Sequence, residues 1–455
     1  MAKIRDNIEK ESQLIGLLLK QQQASKFRLH FLKLHQHEQA QIFVKLNSLQ
    51  RKRLYRYLTS TKVAEFFNEL DLEDLTADYL KEMSPRYAAA VIATMYTDNA
   101  VDMLGTATDA DLKTYLKFIA PQKAVIIKKL LHYQAKTAGA IMATEFVKVT
   151  GNQTVADAML LVKNQARQAE IIYYLYVVDH FDHLTGILTL RDLLVAPAER
   201  SIAQLMTSPV VAVKVDDDQE DVARMISDYN FVALPVTDAA EKLVGVITVD
   251  DAIDVIDEES AEDYSGLAGV DIDEQQDNPW QAALKRLPWL ITLLLLGMST
   301  ATLVSHYERL VSEASILAVF ISSITGTAGN AGTQSLAVAV RRLADPKADR
   351  RSIWKIILTE ILTGILIGVI TGVAIMLIVG WWQKNIILGL VIGLAMFAAI
   401  IVANLAGSLI PLLMSKIGVD PAVASGPFIS TLSDLTSVLI YFNIAQIFLK
   451  FIMND

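Results

Sequence analysis

Asp434 is the residue with the most chemical leverage. It is the one charge in an apolar stretch from Pro421 to Leu449, 13 residues after Pro421 and 16 before Lys450. A run of that length spans a bilayer, which puts Asp434 near the midplane. An ionised carboxylate there costs several kcal/mol unless it faces water, a cation or a polar partner. Two readings follow. Either Asp434 lies on an ion path, or Ser430, Thr431, Ser433 and Thr436 bury it in helix–helix hydrogen bonds. A second polar stripe, Ile324 to Gln334, puts Asn330 and Gln334 four residues apart on one helical face among small residues, a pattern that also serves close helix packing. Asn404, with Gly407 and Pro411, fits either a kink or a polar pore contact. A lone midplane carboxylate suits a hard cation that keeps much of its water, and Mg2+ binds in that way.

A second set of carboxylates lies outside the apolar region. From Asp250 to Asp263, eight of fourteen residues are acidic: Asp250, Asp251, Asp254, Asp257, Glu258, Glu259, Glu262 and Asp263. On a helix, Asp251, Asp254, Glu258 and Glu262 form one stripe, and like charges at that spacing repel. A bound divalent cation would relieve the repulsion; a solvated acidic linker is the plainer account. Asp98 and Asp102 read individually as a solvated face.

The elements that must position these groups divide the chain. With 455 residues, 53% hydrophobic content and a mean hydropathy of +0.36, the sequence implies several domains with the apolar part concentrated at one end. Five spans are expected: Leu287–Val304, Ala314–Val340, Ile353–Trp382 with Glu360 near its start, a fourth within Asn385–Ser415, and Pro421–Leu449. Lys and Arg crowd the loop Arg341–Lys355 and the approach to the first span (Lys285, Arg286), so both face the cytoplasm. Five spans then leave the C-terminus outside. Residues 1–283 carry a net charge of −13 and residues 284–455 a net of +4, which argues against nucleic acid as a partner. There is no cysteine, no histidine in any span and no HExxH, so thiolate zinc sites and metalloprotease chemistry lack ligands. No enzymatic site is expected.

An internal repeat precedes the acidic run. Val177-Val178-Asp179 and Leu184-Thr185-Gly186-Ile187-Leu188-Thr189-Leu190-Arg191-Asp192 recur 59 residues later as Val236-Thr237-Asp238 and Leu243-Val244-Gly245-Val246-Ile247-Thr248-Val249-Asp250-Asp251. Each unit reads as helix, strand, turn, strand, helix, and the pair resembles tandem CBS domains. That resemblance implies adenine-nucleotide binding, with ATP as a second ligand beside Mg2+, through Thr189, Asp192, Thr248 and Asp251. The same Thr and Asp residues would also serve as helix caps. Before the repeat, short helical patterns punctuated at Asp71, Ser84-Pro85, Asp109 and Pro121 indicate an α-superhelical domain.

The assembled pattern resembles the MgtE family of Mg2+ channels over nearly the whole chain. The residues that carry it are Gly326-Thr-Ala-Gly-Asn-Ala-Gly-Thr-Gln334, Ala403-Asn-Leu-Ala-Gly-Ser-Leu-Ile-Pro411 and Asp420-Pro-Ala with Thr431-Leu-Ser-Asp-Leu-Thr436. The chain departs from the family pattern at Asn230, Ala328 and Gly426. The resemblance implies a multidomain membrane protein: an N-terminal helical domain (1–136), an α+β CBS pair (137–250), an acidic connecting helix (251–283) and an all-α five-helix transmembrane domain (284–455). It implies a homodimer in the plasma (inner) membrane whose pore is lined by the second and fifth spans, with Asn330, Gln334 and Asn404 on the path. The pore carboxylate falls on Asp434, and the regulatory carboxylates on Asp251, Asp254, Glu259, Glu262, Asp263, Asp98 and Asp102. The expected function is a Mg2+-selective channel closed by intracellular Mg2+. The alternative is a proton- or sodium-coupled transporter of Mg2+, Co2+ or Mn2+ with a nucleotide-sensing CBS pair.

Overall fold

The computed structural model describes residues 2–70, 75–166, 169–270, 279–343, 353–417 and 425–452. Asp71, Lys347, Arg350, Arg351, Asp420 and Pro421, invoked above, lie outside them. The chain divides into two units, Met1–Asp257 and Glu258–Asp455, and each is described by itself.

The first unit opens with ten helices among the described residues: α1 Ala2–Lys20, α2 Ala24–Phe31, α3 Gln36–Val44, α4 Ser48–Tyr57, α5 Ser60–Phe67, α6 Asp78–Lys81, α7 Pro85–Thr94, α8 Thr97–Gly105, α9 Asp109–Leu116 and α10 Pro121–Leu130. Local chemistry sets their starts. Asn47, Thr59, Ser84 and Thr108 cap α4, α5, α7 and α9 through their side chains, and Pro85 and Pro121 open α7 and α10, where a missing N–H leaves no bond unmade. Phe27, Phe31, Phe43, Phe66 and Phe67 fill the centre of the first five. Helix α1 joins them by burying Ile15, Leu18 and Leu19.

The repeat folds as two matched units. In the first, β1 (Lys148–Thr150) pairs parallel to β2 (Tyr174–Val178), which pairs antiparallel to β3 (Leu184–Thr189); α11 (Val155–Gln165) and α12 (Leu190–Val195) complete it. The second repeats this with β4 (Val213–Lys214), α13 (Gln219–Tyr229), β5 (Ala233–Thr237) and β6 (Leu243–Thr248), leading into α14 (Val249–Ala268). The copies match in detail: register shifts occur at Val177/Val178 and at Val236/Thr237. The core is shared unequally. One apolar cluster runs from the N-terminal helices through Ala138 and Met142 into Val222, Ile226, Ile247, Ala252 and Val255 of the second repeat, while the first repeat keeps its own cluster around Val149, Leu175 and Leu188. The N-terminal helices are thereby packed against the second repeat and the start of α14.

In the second unit α15 (Pro279–His306), α19 (Ile353–Trp382), α20 (Ile386–Lys416) and α21 (Gly426–Ile452) are long and apolar enough to cross a membrane. The fifth long helix, α18 (Ile321–Leu343), is richer in Gly, Ser, Thr and Asn. The expected single span Ala314–Val340 is interrupted: α16 (Glu308–Glu313) and α17 (Ile316–Val319) precede α18. The break is accommodated because the Tyr441 hydroxyl donates to the Leu317 carbonyl at 2.9 Å, satisfying backbone that would be costly to leave bare in lipid. Trp354 and Trp381, 76% and 85% exposed, stand near the two ends of α19, where indoles favour the membrane–water boundaries. Glycines permit the close crossings. A Cβ on Gly407 of α20 would lie 2.2 Å from the Gly332 carbonyl of α18, and one on Gly372 of α19 would lie 2.7 Å from the Gly393 carbonyl of α20. The Gly364–Gly368–Gly372 repeat therefore serves packing.

Candidate metal centres

The first centre forms in the soluble unit. Asp98 sits in the first turn of α8, Asp251 in the first turn of α14, and Glu170 just ahead of β2. One carboxylate oxygen from each lies within 4.8 Å of the other two. The shared core brings α8 to α14, which closes the gap between residues 153 positions apart in sequence. Asp98 is 5% exposed, so it is a buried group and not the solvated face its surroundings in the sequence suggested. Asp251 is oriented by a capping box: the Thr248 N–H and hydroxyl donate to its Oδ2 at 2.9 and 2.6 Å. Glu145, beside the cluster, is well served: it accepts from the Thr97 N–H and hydroxyl, from the Thr144 N–H and, at 3.3 Å, from Lys123 Nζ. Asp98 Oδ1 and Glu170 Oε2 are buried with no hydrogen-bond partner among the described residues.

That contrast defines what the centre can do. Three carboxyls share one pocket, and two of their oxygens lack donors. Burial, then the neighbouring Asp251 charge, holds the Asp98 carboxyl well above the usual carboxylate range. Burial and then Asp98 push Glu170 up to about 10. Burial pushes Asp251 up to about 6 against the pull of its Thr248 hydrogen bonds. Such a cluster holds either protons or a cation. Octahedral Mg2+ at about 2.1 Å sets its ligand oxygens roughly 3 to 4 Å apart, so the three carboxylates fit the ion with a small contraction or one bridging water. Glu170 is the member that sequence reasoning missed. It lies in the link between α11 and β2, which is longer than the matching link between α13 and β5, so the repeat supplies no counterpart that would have marked it.

Asp102 and Asp254 lie one helical turn beyond Asp98 and Asp251, and their charges reinforce the raised ionisation of those two. Asp254 and Glu262 are exposed along α14, with Glu259 and Asp263 partly so. The structure brings none of Asp102, Asp254, Glu259, Glu262 and Asp263 into the three-carboxylate cluster. Thr189 with Asp192, and Thr248 with Asp251, form capping boxes on α12 and α14, which accounts for both pairs without a nucleotide. Asn230 caps α13 in the left-handed region at φ 55°, a conformation Asn tolerates better than most residues.

The second centre lies in the membrane unit. Asp434 is half-buried on α21, with the Thr325 side chain of α18 beside it. Ser433 and Ser437 are buried on the same helix with no partner for their hydroxyls; Ser433 packs where a Cβ on Gly332 would meet its Oγ at 3.0 Å. Asn330 and Gln334 are exposed on α18, whereas Asn404 is 3% exposed, with its side chain beside Gly364 of α19. Asn404 is thus enclosed by helix packing within the chain, whereas Asn330 and Gln334 form an exposed polar face of α18.

Comparison with known proteins adds the following. Residues 321–444 match the family model MgtE, a divalent cation transporter; residues 34–136 match the MgtE intracellular N domain; residues 138–199 and 202–258 match the CBS domain. The chain is 58% identical over 447 residues to the magnesium transporter MgtE of Enterococcus faecalis, covering 97% of this chain and 98% of that one. It is 35% identical to the magnesium transporter MgtE of Bacillus subtilis, with 96% of each covered. Its soluble part is similar to a crystal structure of the soluble part of a magnesium transporter, at 48% identity and a TM-score of 0.53, covering 56% of this chain and all of that one.

Proposed function

The chain belongs to the MgtE family of divalent cation transporters, and we propose that it carries Mg2+ through the membrane along α18 and α21 and is closed by Mg2+ bound in its soluble unit. The observation that carries this reading is the Asp434 carboxylate, inside a membrane-spanning helix and beside Thr325 of α18. A partly exposed carboxylate inside a span is costly against lipid, and Asn330 and Gln334 add an exposed polar face on α18. A second copy facing the same stripe would turn that surface into a water-filled path, so the reading includes a homodimer. Lys and Arg near α15 and after α18 orient the soluble unit to the cytoplasm and the C-terminus outward. The relatives named above are magnesium transporters, not enzymes, and Mg2+ suits both centres because it accepts few carboxylates and keeps several waters.

Closure follows from the cluster of Asp98, Glu170 and Asp251. A cation there ties α8 to α14 and the segment before β2. Without it, the carboxylates repel. A ligand shifts a two-state equilibrium by its differential affinity for the two states, and three converging carboxylates supply that difference. The test of transport is Asp434→Ala in the full-length protein. Mg2+ uptake into proteoliposomes is expected to fall to background at unchanged membrane expression, and normal uptake would remove Asp434 from the path.

A further inference from the structure

One buried carboxylate of the membrane unit is used by neither centre. Glu360, on α19, is 6% exposed. It lies six residues inside Trp354, so about 9 Å deeper than that boundary residue at about 1.5 Å per residue. Its two oxygens have different partners on one neighbouring helix. The Ser335 hydroxyl of α18 donates to Oε2 at 3.0 Å, and Arg342, near the end of α18, places Nη1 3.6 Å from Oε1. The same Ser335 Oγ lies 2.9 Å from the Asn404 carbonyl of α20. Three helices therefore meet at one hydroxyl, one turn along α18 from the close Gly332–Gly407 crossing.

We propose that Glu360 is a positioning residue for transport: it fixes the rotation of α18 about its own axis, and so which residues of α18 face the ion path. The proposal rests on the transport reading above. Adjacent residues of an α-helix point about 100° apart. Ser335 is buried against Glu360 and Asn404, while Gln334, its neighbour, is exposed on the face it shares with Asn330. Turning α18 by one residue would carry Gln334 into the place of Ser335 and move Ser335 on to that of Leu336. Gln334 would then be buried, and the Glu360 charge would lose both Ser335 and Arg342. Arg342 is partly exposed but Glu360 is buried, so a wrong rotation leaves a buried carboxylate without its Ser335 donor, and that desolvated group carries the penalty. Small residues at the crossing give close approach but little directional preference; the carboxylate supplies the direction.

The chain has no cysteine, so single cysteines report on rotation without background. In full-length protein, Gln334→Cys reports the exposed face and Ala339→Cys the buried face shared with Ser335. Each is reacted with a water-soluble maleimide. Adding Glu360→Ala is expected to change the ratio of the two labelling rates by about fivefold or more, the range of a direct contact. Mg2+ uptake should fall with it. Glu360→Gln, which keeps an acceptor for Ser335 but releases Arg342, should lie between. If Glu360→Ala does not insert, Ser335→Ala carries the same test, and its effect on the ratio should not add to that of Glu360→Gln. An unchanged ratio in these variants overturns the proposal, whatever uptake does. Loss of uptake at an unchanged ratio would assign Glu360 to the ions themselves. A changed ratio together with normal uptake in Asp434→Ala would leave the rotation role standing and remove the path.

Discussion

Glu170 differs from Glu145, a few ångströms away in the same unit, by its donors. Glu145 collects Thr97, Thr144 and Lys123; Glu170 Oε2 has none among the described residues. The consequence is a pH dependence whose sign can be worked out. Asp251 and Glu170 have folded-state values raised above the ordinary carboxylate range, to about 6 and about 10. Their contribution to stability is therefore full below their unfolded values, about 4, and is lost as pH rises through the folded ones. In EDTA, the melting temperature of the soluble unit's transition should fall between pH 5 and pH 8. Millimolar Mg2+ should abolish most of that fall, since the cation replaces the protons. Glu170→Gln should flatten the EDTA profile and weaken the Mg2+ stabilisation. A profile in EDTA that is flat for the unsubstituted protein would mean the three carboxyls are not coupled.

Secondary-structure elements matter because the same device serves two ends. Thr189 caps α12 and Thr248 caps α14 with the same Thr-x-x-Asp box. Only the second Asp joins the carboxylate cluster. Thr189→Ala and Thr248→Ala should each lower stability by about 1 kcal/mol, the ordinary effect of losing an N-cap. Their effects on Mg2+ should differ. Thr248→Ala frees Asp251 from the Thr248 hydroxyl, leaving only the backbone N–H as donor, and should raise the Mg2+ concentration needed for half-closure, read as uptake against internal Mg2+. Thr189→Ala should leave that concentration unchanged. Equal shifts in both would mean that the CBS pair senses the ion through stability alone. Helix α14 also starts with Asp250 and Asp251, where the helix dipole favours negative charge, so the acidic run is locally compatible with helix despite the repulsion along its exposed side.

At the scale of the whole molecule, the proposed function assigns sensing to the soluble unit and transport to the membrane unit. If the soluble unit acts by holding the path shut, a chain beginning after residue 250 should transport Mg2+ without regard to internal Mg2+. The comparison is uptake into vesicles loaded with low or high Mg2+. The full-length protein should slow at high internal Mg2+, and the truncated one should not. Truncation is a cleaner test than neutralising the acidic helix, because Asn or Gln at those positions also removes the repulsion that opens the soluble unit. A truncated chain that still shuts off steeply would locate the sensor in the membrane unit and leave the three-carboxylate cluster without a role in gating.

Much of the fold was legible in the sequence because the signals are local or periodic. The 59-residue repeat gives matching strands and matching register shifts, and long apolar runs give the membrane helices, since a bilayer imposes length and composition directly. Pro85, Asp109 and Pro121 mark helix starts for reasons contained within one turn. The sequence also determined that a carboxylate would stand inside the last span. Other features required tertiary structure. Asp98 reads as one more acid on a short polar helix; its burial comes from a core shared between the N-terminal helices and the second repeat, and no local pattern encodes that. The meeting of Asp98, Glu170 and Asp251 depends on three segments far apart in sequence, as does the meeting of Ser335, Glu360 and Asn404. The break ahead of α18 is held by Tyr441, more than a hundred residues away. Periodicity tells which side of an element is apolar, but which polar groups face one another across a core is decided only when the elements pack.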